Sequence, residues 1–317
     1  MQKVKNNPSI KAMNKKQAKA YRMDEKIAIY FDHFSVIFEE GTPSETKVLL
    51  DLCAKLERGK TYFIVGDSGS GKTTLVNHLN GLMKSKYGNI FVETTKIIGK
   101  KRKISKVKKL RKNVGMVFQF PEYQLFKDTI LKDVMFGPTN LGVKKDTAKR
   151  LAEKYLTQMG LDKPYFDRSP FELSGGQKRR AAIAGILAME PNIFVFDEPT
   201  AGLDPVGTQE MLNIIDSLHQ QGKTVIVITH DMNHVLNLAD KVMVLGESKL
   251  LAFDEPYKIF YSDVIKKTSI VKPHVIQFID ELIKINPKFN KLLELKPRNA
   301  LQLSLGINKI LGGRNVQ

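Results

Sequence analysis

The segment from Gly66 to Thr73 constrains what this chain can fold into more than any other part of the sequence. It matches the pattern G-x-x-x-x-G-K-[ST] and consists of Gly66, Asp67, Ser68, Gly69, Ser70, Gly71, Lys72 and Thr73. An apolar run at residues 61–65 precedes it, and a helical pattern over residues 72–83 follows it. A glycine-rich loop between a strand and a helix points successive backbone N–H groups at phosphate oxygens. The sequence therefore predicts a phosphate-binding loop in an α/β domain.

The side chains at the end of this loop suit phosphate and metal chemistry. A lysine at position 72 neutralises the β- and γ-phosphates, and the Thr73 hydroxyl is a ligand for Mg²⁺. Thr74 follows on the first turn of the predicted helix and belongs to the predicted nucleotide-binding set. We therefore expect a nucleoside triphosphate bound together with Mg²⁺.

Two carboxylates end a second apolar strand. Residues 193–196 are all apolar, and Asp197 and Glu198 follow them directly. A parallel strand next to the strand of the phosphate loop would bring both carboxylates to the γ-phosphate. Asp197 suits Mg²⁺ binding, usually through water, and Glu198 suits a general base that polarises the attacking water.

The remaining pattern is typical of an α/β protein. Apolar strands alternate with helical segments, which favours a mostly parallel sheet. We predict one domain over residues 27–261, with a helical subdomain at about 125–180, and a helical region at 262–317. A single cysteine, Cys53, excludes an intrachain disulfide. No apolar run approaches the roughly 18 residues of a membrane span, and the N-terminus lacks the apolar core of a signal peptide.

The basic charge of the chain is confined to three segments. The 317 residues include 51 Lys and Arg against 33 Asp and Glu, a net charge of +18. Residues 1–26, 94–113 and 262–317 carry +6, +10 and +6, whereas the rest sums to −4. We interpret residues 1–26 as a mobile arm and 94–113 as a loop. That loop is either simply solvated or faces an anionic surface such as lipid or RNA.

A third motif precedes another helical segment. It begins at Leu173 and continues with Ser174, Gly175, Gly176 and Gln177. A serine and two glycines at a helix N-terminus form a second anion-binding loop. One domain that binds one nucleotide needs only one such loop. The second loop suggests two copies packed head to tail, each completing the site of the other.

The order of these motifs resembles that of the ATP-binding-cassette ATPases. Gln119 matches the Q-loop glutamine of that family, Asp204 matches the D-loop aspartate, and His230 matches the switch histidine. Phe38 stands where the family places an aromatic residue that stacks on adenine. The resemblance covers residues 27–250 and implies a P-loop ATPase with a helical subdomain.

A closer resemblance is to the ATPases of energy-coupling factor transporters. Residues 119–126 (QFPEYQLF) carry it, together with residues 179–185 (RRAAIAG) and 187–191 (LAMEP). Gly41, Thr42 and Pro43 are similar to the second of the two paralogous ATPase subunits. In that family the C-terminal helices form a small dimerisation region.

The resemblance implies a role for each matched residue. ATP would lie between the phosphate loop of one cassette and the LSGGQ loop of the other, contacted there by Ser174 and Gly176. Thr73, Gln119 and Asp197 would hold Mg²⁺, Glu198 would act as the base, and His230 would sense the γ-phosphate. Asp204 would link the two sites across the dimer.

The resemblance also implies partners and a location. The partners are a second cassette (a paralogue or a copy of this chain), a transmembrane energy-coupling subunit and a substrate-binding membrane subunit. The protein would lie peripherally on the cytoplasmic face of the cell membrane and power the uptake of vitamins or transition-metal ions. The basic segments would then face an anionic membrane surface.

Two other functions stay open from the sequence. Soluble cassette ATPases act on nucleic acid or ribosomes, but they generally carry two cassettes or a long coiled-coil insertion, which this chain lacks. The other alternative is a cassette ATPase of a different importer or exporter. The QFPEYQLF stretch is the feature that distinguishes this chain from such an ATPase. We therefore expect no nucleic-acid partner.

Overall fold

The computed structural model describes residues 24–84, 86–98, 104 and 106–312. The predicted arm therefore lies almost entirely outside the described residues, as do the four basic residues at 100–103. Among the described residues, none of the helices combines the length and the apolar character that a bilayer crossing requires.

Two sheets contain the ten strands of the described residues. The strands are β1 (Ile27–Phe38), β2 (Thr46–Glu57), β3 (Thr61–Gly66), β4 (Tyr87–Val92), β5 (Thr95–Ile98), β6 (Val114–Val117), β7 (Ile193–Asp197), β8 (Thr224–Ile228), β9 (Lys241–Gly246) and β10 (Lys249–Asp254). A four-stranded antiparallel sheet has the order β2-β1-β4-β5, and a six-stranded sheet has the order β10-β9-β3-β8-β7-β6. In the larger sheet only the β9–β10 pair is antiparallel.

The larger sheet separates two hydrophobic cores. Along β3, Phe63 and Val65 point into one core, whereas Tyr62 and Ile64 point into the other. A strand that is covered on both faces needs apolar residues at every position, because successive side chains point to opposite faces. This requirement explains the continuous apolar run that precedes the phosphate loop.

Twelve α-helices surround the sheets in the described residues. They are α1 (Lys72–Leu79), α2 (Val107–Asn113), α3 (Ile130–Asn140), α4 (Lys145–Gln158), α5 (Lys163–Phe166), α6 (Gly175–Leu187), α7 (Pro205–Gln220), α8 (Met232–Leu238), α9 (Pro256–Phe260), α10 (His274–Ile285), α11 (Lys291–Leu295) and α12 (Ala300–Leu311). The C-terminal helices share a core with the sheet, because Ile276, Ile279 and Leu303 are buried in the same cluster as Val242 and Val244 of β9.

Two expectations about local arrangement were wrong. Strand β7 does not lie beside β3, because β8 pairs with both of them and separates them. After the buried Thr224, residues 225–228 of β8 are all apolar and buried, which suits the centre of the sheet. The segment at 94–113 is not wholly a loop, since β5 and α2 fall within it. Helix α2 is anchored by Leu110, its one buried side chain.

Candidate functional site

The phosphate loop joins the end of β3 to the start of α1, and its glycines are required by the backbone. Gly66 has a φ of 146°, and a Cβ atom there would lie 2.0 Å from the Leu245 carbonyl oxygen on β9. Gly71 has a φ of 92°, and a Cβ atom there would lie 2.9 Å from a Val48 methyl group. Any other residue would force the neighbouring strands apart, so glycine at both positions lets the loop sit tightly on the sheet.

Lys72 lies at the centre of this loop. Its Nζ atom donates to the carbonyl oxygens of Gly66 and Asp67, each at 2.8 Å. Burial lowers the pKa of Lys72, and the nearby carboxylates of Glu198 and Asp197 oppose that shift. Ser70 is buried, with its hydroxyl 3.5 Å from the Lys72 Nζ atom, whereas Ser68 and Gly69 are exposed. The exposed turn and the central ammonium are the features that the sequence predicts for a phosphate-binding loop.

Asp197 faces the same loop from the end of β7. The Thr73 hydroxyl lies 3.4 Å from an Asp197 carboxylate oxygen. Asp197 is buried, and burial raises the pKa of its carboxyl, opposed by the Thr73 hydrogen bond and by Lys72. A hydroxyl and a carboxylate oxygen at this separation are the hard oxygen donors that Mg²⁺ prefers.

Glu198 and His230 form a pair beside these residues. The Glu198 carboxylate lies 3.0 Å from Nδ1 of His230, which follows the end of β8. Burial raises the pKa of Glu198, and His230 opposes the shift. The Glu198 N–H donates to the Ile228 carbonyl at 3.0 Å, and the Glu198 backbone has a φ of 49°. The pair is therefore a half-buried acid held by an exposed histidine.

Gln119 and Phe38 lie at the ends of other strands. Gln119 is exposed two residues after β6, the edge strand next to β7. Phe38 is the last residue of β1 and is 38% exposed, opposite Thr46 of β2. Their predicted contacts, with Mg²⁺ and adenine respectively, stay predictions.

The LSGGQ loop caps the N-terminus of α6. The Ser174 hydroxyl accepts a hydrogen bond from the Gln177 N–H, and the Gln177 side chain accepts one from the Ser174 N–H, a reciprocal capping box. Gly175 and Gly176 are exposed, and a Cβ atom at either would meet nothing within 4 Å. Asp204 caps α7 through a single hydrogen bond, which its side chain accepts from the Gly207 N–H at 2.7 Å. Both helix N-termini are therefore open to solvent.

Comparison with known proteins identifies the family. The family model described as "ABC transporter" matches residues 49–201. The energy-coupling factor transporter ATP-binding protein EcfA2 of Mycoplasma genitalium is 53% identical, over 92% of this chain and 95% of that protein. This chain belongs to that family. EcfA2 of Lactococcus lactis subsp. lactis is 39% identical over 90% of this chain and all of that protein. The chain is thus an ATP-binding-cassette ATPase, which confirms the resemblance drawn from its motifs.

Solved structures support the same fold for this energy-coupling factor ATPase. The cbiO1 protein of Clostridium perfringens, described as part of the ABC transporter complex cbiONQ, has a TM-score of 0.65 at 30% identity, covering 85% of this chain and 99% of its own. A dimeric ATP-binding cassette in a post-hydrolysis state, bound to ADP and Pi, has a TM-score of 0.63 at 25% identity. The match covers 72% of this chain and 98% of that cassette. The predicted α/β P-loop fold is confirmed.

The energy-coupling factor ATPase also has a contact that the sequence did not reveal. The Ser269 N–H and hydroxyl both donate to the Asp67 carboxylate, the former at 3.0 Å. These bonds lower the pKa of Asp67. The His274 N–H binds the Asn233 side chain at 2.9 Å, so the same segment is also tied to α8. The start of the C-terminal region therefore lies directly against the phosphate loop.

Proposed function

We propose that this chain is the catalytic ATPase subunit that drives an energy-coupling factor transporter in the uptake of vitamins or transition-metal ions. The observation that carries the proposal is the convergence of three loops at one edge of the larger sheet. There Lys72 lies in the phosphate loop, Thr73 faces Asp197 at 3.4 Å, and Glu198 faces His230 at 3.0 Å. A phosphate site, a metal-binding pair and a base are thereby grouped.

Each of these residues has a defined task in the proposal. The loop amides and Lys72 bind the β- and γ-phosphates of ATP, and Thr74 and Phe38 contribute to nucleotide binding. Thr73, Asp197 and Gln119 would hold Mg²⁺, which when bound neutralises charge on the phosphate oxygens. Glu198 accepts a proton from the attacking water, a task helped by a pKa that burial has moved towards neutrality. His230 orients Glu198 and contacts the γ-phosphate.

The exposed LSGGQ loop supports a dimer of cassettes. Ser174 and Gly176 lie on a helix N-terminus that no part of the described chain covers. In the proposal they contact the ATP of a second cassette, a paralogue or another copy, while Asp204 touches the other site. ATP closes this dimer and hydrolysis opens it, because the γ-phosphate contributes contacts only in the closed state.

An aromatic patch beside Gln119 supports a membrane partner. Phe120, Tyr123, Phe126 and Phe136 are all exposed, and the rings of Phe126 and Phe136 pack edge to face at 4.9 Å. Exposed apolar patches of this kind mark docking sites. We infer that the patch binds a transmembrane energy-coupling subunit, which would join a substrate-binding membrane subunit. That arrangement places the ATPase peripherally on the cytoplasmic face of the cell membrane.

The basic helix α2 suits this location. Lys108, Lys109, Arg111 and Lys112 are exposed on it, and the segment at 94–113 contains no acidic residue. In the proposal they face anionic lipid headgroups. The names of the relatives favour this assignment over a soluble factor that acts on nucleic acid or ribosomes.

Replacing the base tests the proposal. We expect Glu198→Gln to lower ATP turnover by at least about 10²-fold, since a positioned base contributes 10²–10⁴-fold. Nucleotide binding should persist because the phosphate loop is untouched, and an ATP-bound dimer should accumulate. Steady-state phosphate release, fluorescent-nucleotide titration and light scattering give the three readouts. The control is Glu247→Gln, an exposed acid in the β9–β10 turn. Near-normal hydrolysis by Glu198→Gln would refute the assignment.

A further inference from the structure

Arg179 is a buried cation that the proposed chemistry leaves without a task. It lies on α6, two residues after Gln177, and is only 6% exposed. Within the described part of the chain it is the one lysine or arginine among the buried residues. Burial lowers the pKa of its guanidinium, opposed by the charge of Glu122. Removing a cation from water is costly, so its contacts must compensate for that cost.

Those contacts are three backbone carbonyls on three separate segments. Nη1 donates to the Ala201 carbonyl at 3.2 Å. Nη2 donates to the Pro199 carbonyl at 2.5 Å and to the Gln119 carbonyl at 3.3 Å. A planar guanidinium presents five donors in a fixed fork, so one side chain can hold several acceptors at set angles.

Each of the three segments carries a residue of the proposed site. Gln119 is itself the proposed metal ligand after β6. Pro199 directly follows the base Glu198 at the end of β7, and Ala201 opens the short turn that leads to Asp204. Arg179 thus ties the helix that begins at the LSGGQ loop to the loops that hold the base, the metal ligand and the dimer contact.

We propose that Arg179 is a positioning residue for ATP hydrolysis, holding the backbones of these three loops in one arrangement relative to α6. The proposal rests on the proposed function, because the loops matter through the ATPase site. Within the described residues the hydrogen bonds of Arg179 go to the Gln119, Pro199 and Ala201 carbonyls and not to the phosphate loop, so Arg179 should influence turnover rather than nucleotide binding. Displacing a base or a reacting water by about 1 Å can cost 10²-fold in rate.

The test compares Arg179→Gln and Arg179→Lys with Arg180→Gln. Arg180 is the next residue on the same helix, but it is partly exposed and pairs with Glu210 at 3.8 Å. For Arg179→Gln we expect kcat to fall by roughly 10²-fold, with the ATP KM and the fluorescent-nucleotide Kd within about twofold of wild type. Arg179→Lys keeps the charge but not the fork, so its kcat should be intermediate. Arg180→Gln should keep the wild-type kcat.

Turnover must be expressed per nucleotide-binding site, counted by titration. A purely structural role would lower the number of competent sites and leave kcat per site unchanged, and that result would overturn the proposal. If Arg179→Gln does not fold, Arg179→Lys decides, since a wild-type kcat per site in that variant also overturns it. The base assignment fails separately, through retained activity in Glu198→Gln, so the two failures are distinguishable.

Discussion

At the scale of single residues, the site concentrates charge where the fold disfavours it. Burial raises the pKa of both Asp197 and Glu198, which means that ionisation of each carboxyl costs more in the folded chain than in the unfolded chain. At neutral pH each ionised carboxylate therefore opposes folding. Such groups persist where catalysis needs them, at the expense of stability.

This cost predicts that Glu198→Gln is more stable than the wild type. A carboxyl with a raised pKa contributes stability below its unfolded-state pKa and loses that stability as pH rises through its folded-state pKa. The variant should therefore melt roughly 1–2 °C higher at pH 7.5, the shift expected for about 1 kcal/mol in a chain of 317 residues. The gain should shrink towards pH 4.5. Differential scanning calorimetry without nucleotide, at pH 7.5 and at pH 4.5, measures the gain in Tm and its decrease.

The neighbours of Glu198 define the controls for this measurement. Asp197, Lys72 and His230 all act on its carboxyl, so the same pH series is run on His230→Gln combined with Glu198→Gln. Glu247→Gln, on the surface, should show no pH-dependent difference. Two results would show that the buried Glu198 carboxylate does not oppose folding. One is a difference in Tm between Glu198→Gln and the wild type that is the same at every pH, and the other is a lower Tm for the variant at pH 7.5.

At the scale of elements, helix α6 combines a structural and a functional terminus. Ser174 satisfies the Gln177 N–H through the capping box and is also the residue proposed to contact ATP in trans. Ser174→Ala should lower the free energy of unfolding by about 1 kcal/mol, whereas Ser174→Thr should retain most of the cap. Urea unfolding followed by circular dichroism gives both values. Equal unfolding free energies for alanine and serine would show that the cap contributes nothing.

The elements that sequence predicted best are those with a continuous apolar run. The runs of β3 and β7 are buried on both faces of the sheet, so composition alone located them. Strand β2 was not predicted, because it begins with exposed residues, alternates cleanly only in its second half, and has a register with β1 that is broken by bulges. Helix α2 was missed because one buried leucine, Leu110, gives no helical period.

The same distinction applies to the candidate site. Motif residues lie close together in sequence or follow strand ends, so their grouping was predictable from the α/β pattern. The Ser269–Asp67 contact joins residues 202 positions apart, and no local pattern signals it. Arg179 was read only as part of a family motif, since its three carbonyl partners become neighbours only after the strands are ordered.

At the scale of the whole molecule, two exposed apolar surfaces lie on different elements. The first is the aromatic patch beside Gln119, in which Tyr123 is 84% exposed. The second lies on the C-terminal helices, where α12 exposes Leu301 and Leu305, and α10 exposes Phe278 and Ile285. Residues four apart, or seven apart, share a helix face. Under the proposed function, the first surface would bind the membrane partner and the second surface would bind the second cassette.

These assignments predict that the two surfaces fail independently. Tyr123→Ser should reduce recovery of the membrane subunits in a mild-detergent pull-down by about tenfold, because losing one buried aromatic anchor costs more than 1 kcal/mol. It should leave the cassette dimer intact.

Leu301→Ser combined with Leu305→Ser should weaken the cassette dimer, as measured by light scattering. The amount of membrane subunit recovered per molecule of ATPase should change little. Equal loss of both partners in both variants would mean that the surfaces are not separate, and recovery of ribosomes instead of membrane subunits would overturn the transport assignment itself.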